Sequence, residues 1–253
     1  MTKNKLNMKE VVINGEGLEN KELNDKVENA IIHKTKKITL TNINGHRYIS
    51  NGIKDKVEIE IHGTAGDDLG SFMDGPKIII HGNAQDGLGN TMNNGIIIVH
   101  GDARDIVGHS MRGGKIMIDG DVGYRVGIHM KEYKGNFPTI IAAGVAGDFL
   151  GEYMAGGRII ILGINDSESD IIGDWIATGI HGGIVYIRGS VPERKLGVSA
   201  KIMEIDKNDM EFLNTAIGEF CEIFGYELKE IIKEKFIKIV PSKLRPFGEM
   251  YTE

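Results

Sequence analysis

Apolar residues come in short alternating runs through the middle of the chain, and the runs recur. Ile59 and Ile61, Ile78 and Ile80, Ile97 and Val99, Ile116 and Ile118, and Ile159 and Ile161 lie four and two residues before a glycine. Alternation with period two puts one side of a short strand inward. The glycines Gly63, Gly82, Gly101 and Gly120 are 19 residues apart, and each is followed seven residues later by another: Gly70, Gly89, Gly108 and Gly127. The frame returns after a five-residue insertion as Gly144 and Gly151, then degraded as Gly163 with Gly173 and Gly189 with Gly197. Self-similarity at this period predicts a solenoid of about seven stacked units.

The rest of each unit supplies the other walls. Two residues after the first glycine come Ala65, Ala84, Ala103, Val122 and Ala146, and six after it Leu69, Leu88, Val107, Val126 and Leu150. Ten after it stand Met73, Met92, Met111, Met130 and Met154, before turns such as Asn93-Asn94-Gly95 and Gly113-Gly114. Each unit thus offers about five inward side chains, the larger worth roughly 1.5–3 kcal/mol on burial. Equivalent strands stack in parallel at about 4.8 Å. The predicted fold is an all-β solenoid: a single-stranded, right-handed parallel β-helix of about seven coils with a helical C-terminal cap. A left-handed hexapeptide helix needs an apolar marker every six residues, and a leucine-rich repeat needs a Leu-x-x-Leu-x-Leu frame; neither is present.

The flanks leave the repeat, as segments that cap a solenoid must. Residues 1–56 read as an N-terminal cap with a helix over Asn24–His33, a strand at Ile38–Leu40 and a turn at Asn44-Gly45 before His46–Ile49. Residues 57–206 form the coil, and 207–253 a C-terminal helix and tail packing on it. Met210, Leu213, Ile217, Phe220 and Phe224 make a stripe at helical spacing, with Asn208 as N-cap, Glu211 three residues on, and Gly225 as the stop. On the face that parity makes outer, Ile79, Ile98, Met117, Ile141 and Ile160 are apolar, so this helix or another protein covers them.

Composition narrows the function classes. The 253 residues are 41% hydrophobic with a net charge of -6, which lacks the basic footprint of a general nucleic-acid binder. Apolar runs such as Ile96–Val99 are far shorter than a membrane span, and the Lys-rich N-terminus lacks a signal-peptide core. A cytoplasmic location is expected. A single cysteine, Cys221, in the apolar helix reads as a core filler, unable alone to build a disulfide, zinc site or iron–sulfur cluster.

Three motifs invite chemistry. His62, His81 and His100 share one offset and stack, which admits a metal ladder, but neighbours in register point alongside one another without converging. An exposed strand-end stack is the preferred reading. Asp67, Asp86, Asp105 and Asp148 fall four residues after the first glycine; clustered carboxylates suit glycoside cleavage or calcium, yet an aspartate at each turn is more simply a turn former. Thr178–Gly183 places His181 in a glycine-rich loop, a partner contact or a strained turn. No phosphate loop or Gly-x-Gly-x-x-Gly between strand and helix occurs. No catalytic, cofactor-binding or metal-binding residue is assigned, and no tryptophan ladder for sugars exists, Trp175 being alone.

The unit running from Gly82-Asn83-Ala84-Gln85-Asp86-Gly87-Leu88-Gly89 through Met92 to Gly95 resembles the repeat of the C-terminal β-helix of the glutamate synthase large subunit, and also that of the β-helical subunit of formylmethanofuran dehydrogenase. Asn44–Ile49, Thr178–Gly189 and the tail Arg245–Tyr251 resemble the glutamate synthase segments, so the similarity runs from about Val11 to Glu253. The resemblance implies a free-standing third module of a split synthase. It would brace a glutaminase against an FMN- and iron–sulfur-binding synthase subunit so that ammonia passes between them, with no cofactor on this chain. The outer apolar strip of Ile79, Ile98, Ile141 and Ile160 is the expected docking face. The alternatives are a scaffold in a molybdenum or tungsten formylmethanofuran dehydrogenase, or an independent binding rod.

Overall fold

The computed structural model describes residues 10–164 and 170–242. Eleven strands form one continuous sheet. They are β1 (Glu10–Asn14), β2 (Lys37–His46), β3 (Glu58–Ala65), β4 (Asp74–His81), β5 (Asn94–Val99), β6 (Lys115–Ile118), β7 (Thr139–Ala142), β8 (Ala155–Ile161), β9 (Gly182–Arg188), β10 (Ala200–Met203) and β11 (Phe236–Pro241), in the order β1 through β9, then β11 and β10. The first nine pair in parallel and in register, so Ile59, Ile78, Ile97, Ile116, Ile140 and Ile159 form one inward column and Ile61, Ile80, Val99, Ile118, Ala142 and Ile161 another. All are fully buried, as are the five methionines of the opposite wall. This is a parallel β-solenoid whose lumen is filled by its own side chains.

A second ladder runs through Ala65, Ala84, Ala103, Val122, Ala146 and Ile172, giving about six complete turns. The seventh unit keeps its strand, β9, and Leu196, which bridges Ile176. It then leaves the coil as β10, where β11 inserts antiparallel against β9 and closes the stack. At the other end the ladder extends into the segment read as a cap: β2 stacks on β3 and β1 on β2, with Ile38, Leu40 and Ile49 fully buried.

The two glycine columns answer different demands. Gly89 has φ of +67°, the left-handed region, and a Cβ there would lie 2.5 Å from Cδ1 of Ile116. Gly120 carries no such φ; its Cβ would lie 2.1 Å from Oδ1 of Asp102 in the coil below. At Gly120 the coils stack too closely for a side chain, whereas Gly63 and Gly82 in the same column combine that close approach with φ of +126° and +155°.

Helix α1 (Asn20–Ile32) covers the N-terminal end, burying Leu23, Val27 and Ile31. It begins four residues before the expected Asn24, because the Glu22 carboxylate reaches back to accept from the Glu19 N–H at 3.1 Å, a cap that the sequence pattern does not advertise. Helix α2 (Lys207–Phe224) also starts earlier than expected: Asp206, and not Asn208, is the N-cap, boxed with Asp209, while Gly225 stops the helix at φ of +82° as expected. A short α3 (Leu228–Ile232) leads into β11.

Helix α2 lies on the outer face of the sheet. Leu213, Ile217 and Phe220 pack with Met117, Ile141, Ile160 and Tyr186 in a second apolar cluster separate from the lumen. The expected docking face is therefore mostly spent within the chain: Ile98, Ile141 and Ile160 are buried, and only Ile79 remains half-buried. The helix N-terminus is locked by a polar knot. The Tyr186 hydroxyl donates to Asp209 Oδ1 at 2.7 Å and Lys238 Nζ donates to Oδ2 at 2.6 Å. Burial opposes ionisation of Asp209, but the Asp206 N–H, Lys238 and Tyr186 outweigh it and hold the carboxyl below its usual range. Arg158 adds a cation–π contact, its Cζ 3.9 Å from the centroid of the Phe212 ring. The tail motif Arg245–Tyr251 lies outside the described residues. Among the described residues no helix is long and apolar enough to cross a membrane.

Candidate functional site

Strand parity sends Glu60, His62, His81 and His100 outward from β3, β4 and the end of β5. The imidazoles stack face to face, with centroids 4.7 Å apart for His62–His81 and 5.2 Å for His81–His100. The rings are within 15° of parallel, and Phe224 at the end of α2 closes the column edge-on against His100. Glu60 is the hub of this surface: it accepts from Lys37 and from His81, each at 2.8 Å. Those hydrogen bonds, Lys37 first, hold its carboxyl down to about 2. One ligand atom from each of Glu60, His62 and His81 falls within 4.8 Å of the others, close enough for a cation. Parallel rings, however, aim their lone pairs side by side, and Glu60 already has two donors. Burial, then neighbouring His81, lowers the His100 pKa. The geometry is that of a stack tied together by one carboxylate.

The aspartates serve the backbone. Oδ1 of Asp67 accepts from the Asp86 N–H, Asp86 from Asp105, Asp105 from Tyr124 and Asp148 from Asp174, at 2.8–3.3 Å. A parallel column, unread in the sequence, does the same one residue after the first glycine: Asn83 accepts from Asp102, Asp102 from Asp121, and Asp121 from Val145. Each side chain satisfies an N–H of the next coil that would otherwise lack a partner at a turn. Its signal is the polar residue following Gly82, Gly101 and Gly120.

Cys221 is buried between α2 and the sheet, and that burial, then Glu227, pushes its thiol pKa up, away from a reactive thiolate. In the Thr178–Gly183 loop, Ile180 occupies the methionine position, fully inward, and the Thr178 hydroxyl donates to the Trp175 carbonyl at 2.7 Å.

His181 emerges beside a groove that the sequence pattern does not reveal. A cavity of about 390 Å³ is lined by Ser110, Arg112, His129, Lys131, Tyr153, Ala155 and His181, none of them acidic. Arg112, Lys131, Ala155 and His181 hold the same offset in successive coils: their N–H groups donate to the carbonyls of Met92, Met111, Met130 and Met154. Only their shared position after the methionines marks them, and turn residues at that position are ordinarily solvated charge.

A family model described as the GXGXG motif matches residues 7–243, nearly the whole chain. The chain is also 47% identical over 254 aligned positions to the uncharacterized protein MJ1350 of Methanocaldococcus jannaschii, covering 97% of both sequences.

Proposed function

The chain belongs to the GXGXG-motif family, which is linked to glutamate synthase, and from that premise we propose that it is a non-catalytic scaffold subunit of a split glutamate synthase. In this role it holds a glutaminase and an FMN- and iron–sulfur-binding synthase subunit together for ammonia transfer and glutamate formation. The observation that carries the reading is the filled lumen: from β2 to β9 both inward strand columns are fully buried, so the described coils form a strut packed with its own side chains. Two others support it. The carboxylates most suited to acid–base chemistry are committed to backbone N–H groups of neighbouring coils. The M. jannaschii relative is matched over 97% of its length, so in that protein this module makes up almost the entire polypeptide.

The test is a gentle pull-down of the tagged chain from its native cell, with mass spectrometry and a flavin absorbance spectrum of the eluate. Recovery of a flavin and iron–sulfur protein together with a glutaminase is expected. Recovery of molybdopterin proteins instead transfers the scaffold role to a formylmethanofuran dehydrogenase-like complex, and a colourless single species overturns both.

A further inference from the structure

The groove beside the methionine wall is built against the grain of the molecule. The chain carries a net charge of -6, yet Arg112 and Lys131 stand on consecutive coils, and among the described residues neither has a carboxylate within ion-pairing distance. Their backbones are one coil apart, about 4.8 Å, which sets two like charges on neighbouring coils with no carboxylate among the described residues between them. Half-buried Arg112 adds a second mark: its Nε is enclosed and has no hydrogen-bond partner among the described residues. A guanidinium N–H shut away from water without an acceptor costs about 1–3 kcal/mol or more, so Arg112 is held at the groove at an energetic cost.

The remaining walls fit such a guest. The five-residue insertion noted in the repeat folds as a tight hairpin, Tyr133 pairing with Asn136, and Arg112 leans on its tyrosine with Cζ 5.9 Å from the ring centroid. Where the column would continue with a third long side chain stands Ala155, which leaves the space open; His181 follows one coil on. Ser110 offers a hydroxyl, and Tyr153 stacks on His129 at 5.4 Å to form the rim. At about 390 Å³ the groove is at the small end of the range for metabolite sites.

We propose that this groove binds a small multivalent oxyanion, a di- or tricarboxylate or a phosphate, between Arg112 and Lys131. The site is independent of the scaffold role and stands or falls separately from it.

Calorimetric titration of the intact chain with citrate and with inorganic phosphate, at fixed ionic strength in sodium chloride, tests the site. Saturable binding of at least one probe is expected, weakened at least tenfold, or about 1.4 kcal/mol, in both Arg112→Gln and Lys131→Gln. Ala155→Leu, which fills the groove and changes no charge, is expected to weaken binding equally, and circular-dichroism melting of each variant confirms that it is folded. Heat signals absent for both probes, or unchanged in the three folded variants, overturn the proposal, as does binding of an acidic partner peptide without either small anion.

Discussion

At Gly120 the repeat is a steric rule between neighbouring coils. Its missing Cβ makes room for the Asp102 carboxylate, which reaches up to accept the Asp121 N–H at 2.9 Å. Gly120→Ala is expected to destabilise by about 2–4 kcal/mol, the range of overpacking and strain, read from urea unfolding. Asp102→Ala alone is expected to cost about 1 kcal/mol for one hydrogen bond. The double variant should then be less damaged than the sum, since the clash partner is gone; strict additivity would place the glycine's role elsewhere, for instance in its approach to the Gly101 carbonyl at 2.8 Å. A second residue-scale prediction concerns Glu60. Its carboxyl titrates near 2 in the folded chain against 4.5 for the free group, so its stabilisation is present above pH 4.5 and is lost as pH falls toward 2. Wild type is expected to exceed Glu60→Gln by about 1 kcal/mol at pH 6, modest because the partners are partly exposed, with the gap in urea midpoints shrinking below pH 4.5 and closing only at about pH 2. A gap that does not vary with pH would mean that Glu60 acts through packing.

The elements themselves are readable wherever the hydrophobic period is clean. Ile59 and Ile61 with their successors specify the strands, their parity and their parallel register, and Gly225 specifies the end of α2. Helix starts are not readable, because the caps that set them, Glu19 with Glu22 and Asp206 with Asp209, are pairs of acids that look like ordinary surface charge. The outer column is recognisable as covered, but assigning the strip to a partner fails for a specific reason: Leu213, Ile217 and Phe220 match Met117, Ile141 and Ile160 only once the chain has turned back through β10. The groove is not legible in the sequence, although Arg112 and Lys131 lie one 19-residue repeat apart, because charged residues at that turn position ordinarily point into solvent and the opening left by Ala155 carries no signal. What holds α2 down is testable. Asp209→Asn removes a buried charge from Lys238 and weakens the carboxylate's bond from the Asp206 N–H together, with an expected loss of about 3 kcal/mol. Increased dye binding to the uncovered sheet face should accompany it. A stability within about 0.5 kcal/mol of wild type, the size of a neutral surface change, would show that the apolar contacts suffice alone.

Across the whole molecule the cover is uneven, and that has a mechanical consequence. In a solenoid each coil is coupled chiefly to its neighbours, so stability adds up locally and ends fray before the middle. Helix α2 breaks this locality: one rigid element touches β6, β7, β8 and β9 at once through Met117, Ile141, Ile160 and Tyr186. Among the described residues the coils of β3 and β4 have no such brace, and their outer column holds Glu60 and half-buried Ile79 instead of a packed helix. The protein should therefore behave as a stapled C-terminal block joined to a looser N-terminal stack. Hydrogen exchange resolved by peptide is expected to be slowest from β6 to β9 and progressively faster toward β2. In Asp209→Asn the C-terminal advantage should shrink while the exchange of β3 and β4 stays as it was, because the helix does not reach them. Uniform exchange along all the strands in the wild type would show instead that nearest-neighbour stacking alone makes the rod cooperative, and that the helix is cladding on an already rigid core.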